Sequence, residues 1–182
     1  GPPTLQQNGW YFIMFFTEPW KHHILDNFFD DDTLRYCHNL IKSSSLKQNN
    51  HTVLKDKKLL NYFNKIFDET FIKNNFVDHR AFKYLEPVGE INLSTKNFTY
   101  EIHDEAPYKI LSTVVYISPL HANGTILYNE DKKLSKIITW KPNRAFTFCG
   151  IPEKTWHSYG HWDKSTRITV NFFQKYYTIA RK

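Results

Sequence analysis

The chain has 182 residues, which is long enough for one domain with a sizeable core and too short for two ordinary ones. Its 24 basic and 18 acidic side chains give a formal charge of +6, but the basic residues are scattered, so the charge only weakly supports a nucleic-acid partner. The longest apolar run, residues 10–16, is far shorter than the ~20 residues of a membrane span, which predicts a soluble protein without a membrane partner.

The cysteine and aromatic contents give two further expectations. Cys37 and Cys149 lie far apart and lack the spacing of a metal site, so we expect a reducing compartment and a cytoplasmic protein. Aromatic residues make up 17% of the chain, which predicts a core built from Phe, Tyr and Trp rather than from Leu.

Residues 1–79 are predicted to form strands and two supporting helices. Apolar runs at 9–16 and 21–29 indicate buried strands. The carboxylates of residues 30–32 favour a helix start, because they accept hydrogen bonds from free backbone N–H groups. After a polar loop over residues 43–51, a second helix is expected from Asp56 to about Asn74. The apolar face of that second helix, which we expect to pack on a sheet, consists of Leu59, Leu60, Phe63, Ile66, Phe67 and Phe71.

Residues 80–175 show a different pattern, in which short apolar segments alternate with turns. The predicted strands are 81–85, 98–103, 110–117, 126–128, 137–140, 145–149 and 167–173. Many short strands with regular turns are typical of a sandwich or jelly roll. We therefore predict a single domain over residues 1–182 that is mainly β, with the helices supporting one sheet.

The segment around residue 103 carries the clearest chemical pattern. In a regular strand, His103 and Glu105 face one side and Asp104 the other. His157, on a later segment, would complete a set of two imidazoles and one carboxylate, which binds a metal on one face and leaves the opposite positions open. A β-bulge at this point would exchange the roles of Asp104 and Glu105. Such a ligand set accepts Fe, and also Mn, Co, Ni or Zn.

Several short motifs, taken in order, resemble the Fe(II)- and 2-oxoglutarate-dependent oxygenases, and within them the prolyl-4-hydroxylase-like branch with its small phage-encoded members. The motifs are His103-x-Glu105, Lys109, Tyr116, Asn123-Gly124-Thr125, Pro142-Asn143-Arg144, His157 and Arg167-Ile168-Thr169-Val170. The resemblance covers residues 80–175 well and the preceding part loosely. This chain differs from the family in one respect, because the family usually has Asp where Glu105 stands.

The resemblance implies a role for each matching residue. His103, Glu105 and His157 would bind Fe(II), and Arg167 would hold the distal carboxylate of 2-oxoglutarate with a bidentate pair. The hydroxyl of Tyr116 would reach the same carboxylate. Lys109 would lie near the mouth of the site, and Thr169, with Asn171, would line the pocket. The alternatives are a solvated lysine and a tyrosine that only packs in the core. The other histidines are expected at the surface or in the core: His22, His23, His38, His51, His79, His121 and His161.

The implied fold is the double-stranded β-helix, a jelly roll. The implied reaction is hydroxylation of a C–H bond with dioxygen and 2-oxoglutarate, with release of succinate and carbon dioxide and with ascorbate as supporting reductant. A peptidyl proline is the favoured substrate, and a small molecule remains open. The alternatives are a nucleic-acid demethylase of the same superfamily and a cupin-like protein that binds a metal or ligand without turnover. The oligomeric state is open.

Overall fold

Two antiparallel sheets and two helices make up the described part of the chain. The structure, a computed structural model, describes residues 4–8, 11–67, 85–105, 109–159 and 164–176. The elements are β1 (Thr4–Asn8), β2 (Tyr11–Phe16), β3 (His22–Leu25), α1 (Asp31–Ser43), β4 (His51–Leu54), α2 (Lys57–Phe67), β5 (Leu85–Ser94), β6 (Tyr100–His103), β7 (Lys109–Ser118), β8 (Thr125–Tyr128), β9 (Leu134–Ile138), β10 (Ala145–Phe148), β11 (His157–Tyr159) and β12 (Arg167–Tyr176).

The larger sheet has eight strands in the order β1-β2-β3-β10-β7-β12-β5-β4, and the smaller has four in the order β6-β11-β8-β9. The predicted mainly β class with helices against one sheet is confirmed, and the sheets are those of a jelly roll. In the described part of the chain, no helix is both long and apolar enough to cross a membrane.

Both helices pack on the outer face of the large sheet. α1 begins where its carboxylates predict, since the Asp30 side chain accepts a hydrogen bond from the backbone N–H of Thr33 at 2.8 Å. Phe63 of α2 is fully buried and stacks on Phe172 of β12, with ring centroids 4.5 Å apart. The apolar face predicted for the second helix therefore meets the sheet. The side chain of Phe67 and the part of that prediction beyond residue 67, including Phe71 and Asn74, lie outside the described residues.

A second, largely aromatic cluster fills one half of the space between the two sheets. Its buried members are Trp20, Ile24, Tyr116, Leu127, Ile138, Trp140, Phe146 and Phe148. Two hydrogen bonds hold its tryptophan side chains in place. The indole N–H of Trp20 donates to the carbonyl of Tyr128, and that of Trp140 donates to the carbonyl of Pro119. The aromatic core expected from composition is thus found between the sheets, and it leaves the other half of that space open.

Several strands differ from the prediction. The strand predicted over 81–85 lies outside the described residues except for Leu85, and β5 runs over Leu85–Ser94, where no strand was predicted because Pro87 and Gly89 argue against one. β4 pairs only with residues 89–92 of β5. Pro87 therefore has β12 as its one described neighbouring strand, and the backbone N–H that proline lacks is not needed on the other side. Gly89 allows close packing, since a Cβ would lie 3.1 Å from a side-chain carbon of Leu54. β1, β4 and β11 were not predicted, because each is short and has little apolar alternation.

The segments Asn123-Gly124 and Pro142-Asn143 both contain residues typical of turns, but their backbones differ. Asn143 has φ of 64°, so the tolerance of asparagine for the left-handed region applies there. Neither Asn123 nor Gly124 has positive φ. Gly124 is required for another reason, since a Cβ would lie 1.7 Å from the carbonyl oxygen of Ile138.

Asn143 also joins the large sheet to the segment before α1. Its Oδ1 accepts from the backbone N–H of Phe29 at 2.9 Å, and its Nδ2 donates to the carbonyl of Phe29 at 2.8 Å. The residue is buried, so water cannot replace these bonds.

We predict that Asn143→Ala lowers the free energy of unfolding by about 2–4 kcal/mol, because it removes two buried hydrogen bonds and strains a left-handed residue. Urea denaturation measures the change. Asn97→Ala is the matched control, since Asn97 is exposed and has φ of 68°. The control should cost about 1 kcal/mol or less. Equal losses in the two variants would show that the bonds to Phe29 contribute nothing.

Candidate metal centre

Two histidines face each other across neighbouring strands of the small sheet. β6 and β11 are antiparallel, and His103 and His157 are direct partners in their register. Directly opposed side chains in such a pair lie on the same face. The two imidazole centroids are accordingly 4.2 Å apart, on the face that looks toward the large sheet.

Glu105 completes the cluster from the segment that follows β6. Its Oε1 lies 3.9 Å from Nε2 of His103 and 3.7 Å from Nε2 of His157. One ligand atom from each of the three residues lies within 4.8 Å of the others. Two ligands that each lie ~2.1 Å from one ion are at most ~4.2 Å apart, and both nitrogen–oxygen distances fall within that limit.

Asp104, the alternative carboxylate, points elsewhere. Its Oδ2 accepts a hydrogen bond from the backbone N–H of Glu153 at 2.7 Å, which anchors the loop before β11. β6 ends at His103, so the strand alternation used to choose between the two acids does not extend to them. What separates them is that the Asp104 carboxylate caps a loop, whereas the Glu105 carboxylate faces both imidazoles.

A hydrogen bond to a neighbouring group orients each of the three side chains. Nδ1 of His103 lies 2.8 Å from the carbonyl of Glu101, and Nδ1 of His157 lies 2.7 Å from the carbonyl of Thr155. A carbonyl only accepts, so Nδ1 carries the proton in both rings and Nε2 is the nitrogen with the lone pair. Ser112 donates to Oε2 of Glu105 at 2.7 Å, which turns Oε1 toward the histidines. This donor set fits a divalent transition metal.

Arg167, the first residue of β12, is a buried cation. It is 4% exposed, and burial lowers the pKa of its guanidinium. Its Nε donates to the carbonyl of Asn123 at 3.0 Å, and its guanidinium carbon lies 4.2 Å from the ring centroid of Tyr159 and 4.9 Å from that of Trp140. No carboxylate among the described residues pairs with it. A buried cation without a counter-ion is the expected feature of a site that binds an anion.

Tyr116 lies beside Arg167 and is fully buried. Its hydroxyl is 2.6 Å from Oγ1 of Thr125, and its ring stacks on Trp140 with centroids 4.5 Å apart. Burial raises the pKa of the Tyr116 hydroxyl, so this group stays protonated at neutral pH. The side chain thus has both features that the sequence left as alternatives, a core position and a polar group close to Arg167.

The cluster and the buried arginine line one cavity. It has a volume of about 90 Å³, is open to solvent, and lies beside the aromatic cluster between the two sheets. Arg167, Thr125 and Thr169 line it from one end, and the His103, Glu105 and His157 side chains line it from the small sheet. Lys109 begins β7, but its side chain lies outside the described residues.

Among the cavity-lining residues that the sequence analysis did not assign to the site are polar residues of β4 and β5. Glu90 and Asn92 lie on β5, which was not predicted over these positions, and His51 was assigned to the surface or core. Glu90 and Asn92 alternate with the apolar Ile91, as is typical of a strand, but the nearby Pro87 and Gly89 argue against one.

Comparisons with known proteins bear on this arrangement through the fold alone. No family model and no curated protein matches the sequence. Among solved structures, the viral collagen prolyl hydroxylase vCPH from Paramecium Bursaria Chlorella virus-1, in its 2OG complex, is 13% identical with a TM-score of 0.65, covering 86% of this chain and 96% of that one. A Pseudomonas putida prolyl-4-hydroxylase is 11% identical with a TM-score of 0.62, covering 86% of this chain and 93% of that one.

A prolyl hydroxylase from Trichoplax adhaerens, in complex with a peptide fragment of the hypoxia inducible factor oxygen degradation domain, is 13% identical with a TM-score of 0.60, covering 85% of this chain and 83% of that one. The chain therefore has the jelly-roll fold of the 2OG-Fe(II) oxygenases. Within that class, the structures that it resembles include viral and bacterial prolyl 4-hydroxylases.

We predict that Glu105→Ala abolishes tight binding of Mn(II) or Co(II), because it removes the only carboxylate that faces both imidazoles among the described residues. Asp104→Ala should retain binding within about threefold, since this side chain caps the loop before β11. Isothermal titration calorimetry of the two variants measures the difference. Loss of binding in Asp104→Ala, with binding kept in Glu105→Ala, would reverse the assignment.

Proposed function

We propose that this protein is an Fe(II)- and 2-oxoglutarate-dependent dioxygenase that hydroxylates a substrate C–H bond. The observation that carries the proposal is the buried Arg167, which has no carboxylate partner in the described part of the chain and lies in the same cavity as a cluster of two histidines and one glutamate. A cluster of metal-binding side chains alone is compatible with many functions. Such a cluster in the same cavity as a buried anion site is expected in a metalloenzyme whose cosubstrate is a carboxylate.

In this proposal His103, Glu105 and His157 bind the iron. The carbonyls of Glu101 and Thr155 hold the two imidazoles with Nε2 as the ligand atom, and Ser112 holds the carboxylate. When bound, iron and 2-oxoglutarate supply the oxidation of a C–H bond by dioxygen, with succinate and carbon dioxide as co-products. Ascorbate would serve as the supporting reductant.

Arg167 binds the distal carboxylate of 2-oxoglutarate. Its Nε is occupied by the carbonyl of Asn123, so the two terminal nitrogens are the donors for a bidentate pair. Tyr159 and Trp140 flank the guanidinium and limit its contact with water. The Tyr116 hydroxyl is hydrogen-bonded to Thr125, which lines the same cavity as Arg167. Thr169 lines this cavity as well. We keep Lys109 as a candidate near the mouth.

Aromatic side chains shield the cluster from behind. The ring of Phe148 lies 4.9 Å from that of His157, and the ring of Trp20 lies 6.4 Å from it. These rings exclude water from one side of the site, which strengthens charge interactions there.

The finer proposal concerns the primary substrate. A peptidyl proline is supported by the shared fold with prolyl hydroxylases, one of which is in complex with a peptide fragment. Fold alone does not fix a substrate, so this choice needs a direct test.

We expect the native chain, supplied with Fe(II), ascorbate and air, to convert 2-oxoglutarate to succinate, and His157→Ala to reduce this turnover at least a hundredfold because one metal ligand is lost. His121→Ala is the matched control, because His121 is exposed and does not line the cavity. Binding of 2-oxoglutarate without turnover would mean that the primary substrate is required for oxygen activation. The absence of both 2-oxoglutarate binding and turnover would contradict the proposal and would favour a metal- or ligand-binding jelly roll.

We predict that Arg167→Ala weakens 2-oxoglutarate binding to the Mn(II)-loaded protein by about a hundredfold, because a bidentate, charge-assisted pair is lost. Metal binding itself should be unchanged, which calorimetry measures separately. Arg35→Ala is the control, since Arg35 is largely exposed on α1. Unchanged 2-oxoglutarate affinity in Arg167→Ala would place the cosubstrate elsewhere.

A further inference from the structure

The wall of the cavity that belongs to the large sheet is polar. We define this polar wall as His51 of β4, Glu90 and Asn92 of β5, and Thr169 and Asn171 of β12, all of which line the cavity. The strand register places them in rows, since Asn171 is opposite Glu90, Thr169 is opposite Asn92, and Asn92 is opposite His51. They share one face because alternate residues of a strand point the same way. The metal cluster looks onto this wall from the small sheet.

The polar wall has a cation, Arg167, next to one end and an anion, Glu90, at the other. Arg167 and Asn171 are four residues apart on β12, a distance of ~13 Å along a strand. Glu90 lies directly across from Asn171, with Cβ atoms expected ~5 Å apart. An anionic cosubstrate is therefore attracted to the Arg167 end and repelled from the Glu90 end. This leaves the Glu90 end for the primary substrate.

That end offers hydrogen-bond acceptors whose capacity is not used. The Glu90 side chain is only 16% exposed, and His51 is its one ion-pair partner among the described residues, at 3.1 Å. The same nitrogen of His51 lies 2.5 Å from Oδ1 of Asn92, so one donor serves two acceptors. Oδ1 of Asn171 is buried and has no hydrogen-bond partner among the described residues. Buried acceptors without donors are costly, unless a ligand supplies the donors.

We propose that the polar wall is the subsite for the primary substrate, and that it selects a substrate with a cationic nitrogen group, an ammonium or a guanidinium, which donates to Glu90 and Asn171. The proposal deepens the proposed function and rests on it for the place of the oxidised carbon. A carboxylate with spare acceptor capacity in a partly buried site gains most from a charged donor, because charge-assisted hydrogen bonds are the strong ones.

A prolyl residue alone does not meet this requirement. The proline nitrogen in a peptide has no N–H, and its ring is apolar, so neither Glu90 nor Asn171 would gain a donor from it. The cation must come from a residue beside the proline in a peptide, or from a small molecule that is itself a cation. Both sources present the same chemistry to Glu90, and matched probes distinguish them.

The test measures binding to the Mn(II)-loaded protein by calorimetry, with and without 2-oxoglutarate. The probes are an end-capped peptide, Ala-Arg-Pro-Arg-Ala, and free L-arginine, each compared with its citrulline counterpart, in which a neutral urea group replaces the guanidinium. At least one arginine probe should bind about tenfold more tightly than its citrulline counterpart. A preference only in the peptide pair identifies a flanking residue as the source, and a preference only in the free pair identifies a small molecule.

Two variants tie the preference to the wall. Glu90→Gln should abolish the preference for arginine over citrulline, while 2-oxoglutarate still binds at Arg167. Glu86→Gln is the matched control, because Glu86 lies on the same strand, pairs with Lys175 at 3.1 Å, and does not line the cavity. This control should keep the full preference.

Equal binding of arginine and citrulline probes, no binding of any probe at millimolar concentration, or a preference that survives in Glu90→Gln would overturn the proposal. A native chain that fails to bind 2-oxoglutarate would overturn the proposed function instead. The comparison without 2-oxoglutarate would still decide whether Glu90 selects a cation.

Discussion

The register between β6 and β11 is the constraint on which the candidate site depends. It sets His103 directly opposite His157, so both imidazoles leave the small sheet on one face. A slip of one residue in either strand would turn one ring to the other face and dissolve the cluster. Backbone carbonyls then fix the orientation of both rings, and Ser112 reaches across from the large sheet to hold Glu105. The small sheet supplies the two imidazoles, the segment after β6 supplies Glu105, and Ser112 of the large sheet orients the Glu105 carboxylate.

Burial of charge gives the two ends of the cavity different electrostatic character. Arg167 lies among aromatic rings at one end, where cation–π contacts offset part of the cost of removing a guanidinium from water. Glu90 lies at the other end with a single histidine partner among the described residues. The two ends therefore favour ligand groups of opposite charge, and in a partly buried site such fields are weakly screened by salt.

The high aromatic content of the chain has a structural consequence beyond filling volume. Trp20 and Trp140 each use an indole N–H to bind a carbonyl, while their rings pack between the sheets. Large rigid rings set the spacing of the two sheets on one side and keep the other side open as a cavity. The site is therefore held by a packed core beside it, which limits motion of His157 and Arg167.

The sequence by itself determined the mainly β class, the start of α1, the apolar face of α2, and the candidates His103, Glu105, His157 and Arg167, because strand alternation, helix capping and ordered motifs are local signals. Only the tertiary structure separated Asp104 from Glu105, since the two differ in a loop contact 49 residues away. The polar wall was likewise decided by the fold. His51, Glu90 and Asn171 are distant in sequence, and they meet because antiparallel pairing of β4, β5 and β12 aligns them, a relation that no single segment encodes.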